Sequence, residues 1–140
     1  MITKTIPYTD YNGKARIEDF NFHLNKMELL ELDAKYEGGW SAHVQRIVNT
    51  NNNAEIFATM KDFILRAFGV KSEDGRRFMK VDDNGNPLSR IFEESPAYEI
   101  LLMELTLGDN AAAIAADFIN HVVPADMAKG NNAAALPAAN

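Results

Sequence analysis

No cysteine occurs in the 140 residues, which excludes disulfides, thiolate zinc sites and cysteine nucleophiles. No apolar run approaches the length of a membrane span, and the opening Met1-Ile2-Thr3-Lys4-Thr5 lacks the apolar block of a signal peptide, so a soluble protein of the cytoplasm is expected. Positive charge is scarce: 14 Lys and Arg against 20 Asp and Glu leave a net charge of -6, a poor match for nucleic acid or anionic membrane, which call for a basic stripe. His23, His43 and His121 stand far apart, and no His-x-x-x-His pair, glycine-rich phosphate loop or Gly-x-Ser-x-Gly elbow is present. The carboxylate groups Glu28, Glu31 and Asp33, and Glu93 with Glu94, fall where solvated helix faces or helix starts place them. No catalytic, cofactor or metal site is expected, and the partner indicated is another protein.

What is present is a core. Hydrophobic residues make up 46% of the chain, enough for one domain and too few residues for two. The organising stretch is Ile56 to Phe68, with bulky apolar residues at 56, 57, 60, 63, 64, 67 and 68 marking one wide helix face. Asn52 is its expected cap and Gly69 its expected left-handed terminator. A polar turn around Asp74-Gly75 and a brief strand or extended loop at Phe78 to Lys80 follow.

Ahead of that helix, Ile2, Ile6 and Tyr8 share one face of an extended segment, and Asn12-Gly13 suits a type I′ hairpin turn. Ala15 and Ile17 lie on the opposite parity from Phe20, Phe22 and Leu24, so a bulge near Glu18-Asp19 is expected. Asn25 and Glu28 form a capping box for a helix over 26–36, with Leu24 and Leu29 as a hydrophobic staple. Gly38-Gly39 stops it, and a second helix carries Trp40, Val44, Ile47 and Val48.

Beyond Val81, Asn86-Pro87 and Ser95-Pro96 each suit a cap with a first-turn proline, the first for a short helix with Leu88, Ile91 and Phe92. The second opens a helix from Ala97 to Leu107, apolar over most of its circumference and expected to be deeply buried. Asp109 is the expected cap of a last helix whose Ala111, Ile114, Ala115, Phe118 and Val122 form a stripe of small residues, suited to close packing against a neighbouring helix and ending at Pro124. The fold class is therefore α+β, a β-hairpin followed by five to six helices in a domain over 1–124. The Ala- and Asn-rich 125–140 read as a flexible tail.

Asp82, Asn84, Asn86 and Glu93 match positions 1, 3, 5 and 12 of a calcium loop, but Pro87 stands where that loop needs glycine, which argues against it. Trp40, Arg76, Arg77 and Phe78 are the candidate partner-binding residues: an indole after two glycines, and two cations beside a ring on a turn. A core position for Trp40, and pairing of the arginines with Glu73 or Asp74, weigh somewhat more heavily.

The ordered set Asp19-Phe20-Asn21-Phe22, Gly38-Gly39, Ile64 to Phe78, Phe92-Glu93-Glu94-Ser95-Pro96-Ala97-Tyr98, Met103-Glu104-Leu105 and Ala116-Asp117-Phe118-Ile119-Asn120 resembles the tail assembly chaperones of long-tailed bacteriophages over nearly the whole chain. Lys71-Ser72, then Asp74-Gly75-Arg76-Arg77-Phe78, is its most specific part; Asp83 to Ser89 departs from it. The resemblance implies a non-enzymatic helper, without cofactor, that coats the tape measure protein in the host cytoplasm, leaves as the major tail protein arrives, self-associates, and is missing from the finished virion. Two other functions compatible with the residues are a tail completion or connector protein retained in the virion and a small regulatory protein-binding module.

Overall fold

The computed structural model describes residues 1–124; the expected tail over 125–140 lies outside the described residues. The hairpin forms, with β1 at Ile2–Thr9 and β2 at Ala15–Phe22. Its turn differs from the expected type I′. Asp10 accepts from the Gly13 N–H, its carboxylate accepts from the N–H groups of Asn12 and Lys14, and only Gly13 has positive φ, at 81°. The acidic side chain organises a five-residue loop that needs one left-handed residue instead of two.

The expected bulge is also absent. Pairing runs unbroken from Ile2 opposite Phe22 to Thr9 opposite Ala15. The parity change is resolved by exposure: Ile6, Phe20 and Phe22 face the core, whereas Ala15 and Ile17 lie on the outer face, and Ile17 is 73% exposed. Near the turn the core-side positions are filled by Arg16 and Glu18, with the Tyr8 hydroxyl bonded to Glu18.

Helix α1 spans Lys26–Ala34 with the complete capping box of Asn25 and Glu28. Helix α2, Trp40–Thr50, starts after Gly39, whose φ of 94° and closeness to the Asp33 carboxylate both exclude a side chain; that carboxylate accepts from the Trp40 N–H at 2.7 Å. Helix α3, Asn53–Ala67, is capped by Asn52 as expected. It does not end on a left-handed glycine. Phe68 turns extended, with φ −61° and ψ 140°, and the chain runs straight into β3, Phe68–Lys71.

Strand β3 pairs antiparallel with β2 through Phe22–Phe68 and Asn21–Gly69, and with β4, Phe78–Met79, giving a four-stranded sheet in the order β1-β2-β3-β4. Gly69 is small because a Cβ there would lie 2.4 Å from the Phe78 ring and 2.8 Å from the Met79 carbonyl oxygen.

The Asp82 carboxylate accepts from the N–H groups of Asn84 and Asn86, closing a turn beneath the bridge of Val81 to Pro87, so α4 begins only at Ser89 and ends at Glu93. Helix α5, Pro96–Thr106, has its proline in the first turn, and α6, Ala111–Val122, starts from Asn110 where Asp109 was expected.

The core is aromatic beneath the sheet. Phe22 meets Phe68, Phe92 and Phe118 edge-on at centroid distances of 5.3 to 5.8 Å, and Phe68 stacks on Phe92 at 4.8 Å. Such pairs add to burial through ring quadrupoles. Helix α5 buries Ala97, Leu101 and Leu105, yet Ile100, Met103 and Leu107 are exposed, so its expected deep burial holds for one face only. Among the described residues no helix is long and apolar enough to cross a membrane.

Candidate interaction surfaces

The four residues singled out from the sequence do not converge. Trp40 is 4% exposed and stacks on Phe63 with centroids 4.9 Å apart, which makes it a core residue in this fold. Phe78 is half-buried over Gly69, edge-on to the His23 ring at 5.8 Å. Arg76 and Arg77 are exposed at the tip between β3 and β4, and neither guanidinium pairs with Glu73 or Asp74 as the alternative reading supposed.

The tip is pinned without them. Ser72 Oγ donates to Asp74 at 2.7 Å and accepts from the Arg77 N–H at 3.0 Å, and Asp74 also accepts from the Arg76 N–H. These donors stabilise the Asp74 anion and hold its pKa below the ordinary carboxylate value. Among the described residues neither arginine side chain has an acidic partner, and both are exposed.

Lys80 was not singled out, and it ties three elements together. Its ammonium donates to the backbone carbonyls of His23 and Arg66, lies 3.5 Å from Glu28, and sits over the Phe78 ring at 5.4 Å. Burial lowers its pKa, with Glu28 opposing the shift. The Arg66 carbonyl belongs to the last turn of α3, where a cation is favoured by the helix dipole. Nothing in the spacing of residues 23, 28, 66 and 80 announces this knot.

The calcium-like positions are engaged otherwise: Asp82 holds its own turn, and Glu93 pairs with Lys61 at 3.0 Å. Among the described residues no cluster of acids and histidines could hold a metal ion.

An apolar groove of about 210 Å³ opens between the helices. Val44, Ile47 and Val48 of α2 and Ile56 and Met60 of α3 form one wall; Leu105 of α5 and Ala111, Ala112, Ala115 and Ile119 of α6 form the other. The small side chains of α6 create it, because alanine at successive turns leaves unfilled the space that leucine would occupy. The α2 periodicity foretold the first wall, whereas the alanine stripe was expected to pack closely against a neighbouring helix and instead leaves Ala111, Ala112 and Ala115 lining the second.

Among the described residues, the apolar groove and the pinned turn with its two exposed arginines are the two surface features these elements build. A family model described as phage tail assembly chaperone matches residues 1–139, and the chain belongs to that family. No curated protein and no solved structure matched it.

Proposed function

We propose that this chain is a non-enzymatic, cofactor-free chaperone that binds the tape measure protein of its phage and releases it as the major tail protein assembles around it. Family membership sets the assembly role, and the observation that supports a helical client is the groove between α2, α3, α5 and α6. An amphipathic helix laid in such a groove buries its apolar face with few directional bonds, so each contact is weak enough to exchange. Exposed Ile100 and Met103 add a separate apolar strip on α5, and Arg76 and Arg77, at the tip between β3 and β4, offer charge to acidic residues of a client. Residues 1–124 act as the chaperone domain, copies self-associate, and the protein works in the host cytoplasm and is absent from the virion.

Co-expression with tagged tape measure segments tests this reading. Capture is expected for wild type and at least about tenfold weaker for Ala112→Phe, which fills the groove from an exposed position; Arg76→Glu with Arg77→Glu weakens it less, with folding intact. Equal capture by Ala112→Phe removes the groove from the interface. Mass spectrometry of purified particles separates a chaperone, missing from them, from a retained connector.

A further inference from the structure

The two free edges of the hairpin are not alike. Asp10 N–H donates to the Lys14 carbonyl, so in the unbroken register that continues it the even-numbered residues exchange bonds across the hairpin. Odd-numbered residues therefore turn their N–H and C=O outward. On β1 the outward series includes Pro7, which has no N–H and blunts that edge. On β2 it is Ala15, Ile17 and Asp19, and each carries an N–H. Strand β3 pairs with β2 only at Asn21 and Phe22, then parts from it across a cleft of about 460 Å³. Among the described residues the β2 edge from Ala15 to Phe20 has no strand partner.

We infer that this edge is closed by the same edge of a second copy, antiparallel about a two-fold axis at Ile17. The register is specified by side-chain chemistry. With Ile17 opposite Ile17 of the second copy, Arg16 falls opposite Glu18 and Glu18 opposite Arg16, at positions where side chains approach most closely. Shifting the axis to Arg16 or Glu18 sets like charges face to face. The 73% exposed Ile17 and its hairpin neighbour Pro7 then form an apolar row across the joined sheet. A lone exposed isoleucine on a face of threonines gains a partner of its own kind, and the sheet becomes continuous through both copies.

The pairing deepens the self-association proposed above and rests on it. Sedimentation of the full chain over a range of concentrations, with circular dichroism as the folding control, separates the two. Wild type is expected to dimerise. Ile17→Pro deletes an outward N–H without removing a bond to β1 and raises the dissociation constant at least about tenfold. Arg16→Glu and Glu18→Arg each raise it roughly three- to tenfold, and the double exchange restores it. In this cysteine-free chain, Ile17→Cys cross-links to dimer with a short bis-maleimide and Thr3→Cys does not. A wild type that remains monomeric overturns both the pairing and the self-association. An oligomer indifferent to the charge variants and to the Ile17→Cys probe overturns the pairing alone and assigns this edge to another occupant, such as a client strand or residues 125–140.

Discussion

Beneath the sheet and beside α6 the same chain handles apolar space in opposite ways. Under the sheet, Phe22, Phe68, Phe92 and Phe118 interlock ring against ring, with centroids 4.8 to 5.8 Å apart. Along the outer half of α6, Ala111, Ala112 and Ala115 stand back from α2 and α3 and leave a groove. Close packing provides most of the stabilisation in one region, and withheld volume provides a place to bind in the other. Substitutions in the first should cost folding, and those in the second should cost association.

The sharpest way to break the packed region is Leu101→Asp. Leu101 is 1% exposed in the core cluster, and an unpaired carboxylate there costs several kcal/mol of a stability of roughly 5–15 kcal/mol. Loss of the cooperative thermal transition is the expected result; a wild-type melt would remove α5 from the core.

Gly69→Ala should cost less, about 1–3 kcal/mol, because the added methyl meets the Phe78 ring and the Met79 carbonyl. Denaturant midpoints measure it. Adding Phe78→Leu should recover part of the loss but not all, since the carbonyl stays.

A smaller effect is expected at His23. Burial disfavours its imidazolium, with the N-terminal ammonium and Lys80 adding to the effect, so its pKa lies below the usual 6.5. Above 6.5 folded and unfolded chains both carry it neutral. As pH falls below 6.5 the unfolded chain binds the proton first, so stability declines down to the depressed pKa and then levels off. Melting temperatures of His23→Gln should lack that decline, and a wild-type curve flat between pH 6.5 and 4.5 would contradict it.

No change in melting temperature is expected on deleting residues 133–140, whose one bulky apolar residue is Leu136. A drop of several degrees would place part of the stabilising contact outside the domain proposed over 1–124.

Local signals were legible and tertiary ones were not. The Asn25–Glu28 box, the Asn52 cap and the first-turn Pro96 were read correctly because each depends on neighbours three or four residues away. The hairpin was legible, but its turn type was not, because the Asp10 carboxylate replaces the second left-handed residue. A bulge was inferred from the parity of Ile17, where the strand instead overhangs the core and leaves Ile17 outside. Gly69 resembled a helix terminator, and its reason is a ring nine residues on. Strand β3 was hidden for the same cause: it inherits its place from β2, not from an alternation of its own. The alanine stripe was visible, while the groove it shapes required α2 opposite it.

The Lys80 knot bears on how the molecule opens. A two-residue strand such as β4 on the rim of a sheet would ordinarily fray alone, with its amides exchanging freely. Here detaching it also withdraws an ammonium from the last turn of α3 and from the carbonyl of His23, while Glu28 loses its counter-ion at the start of α1. Rim, hairpin exit and two helix ends are thereby joined into one cooperative unit, so the Met79 amide, which faces Val70 of β3, should exchange with deuterium on the timescale of the hairpin, not that of a loose end.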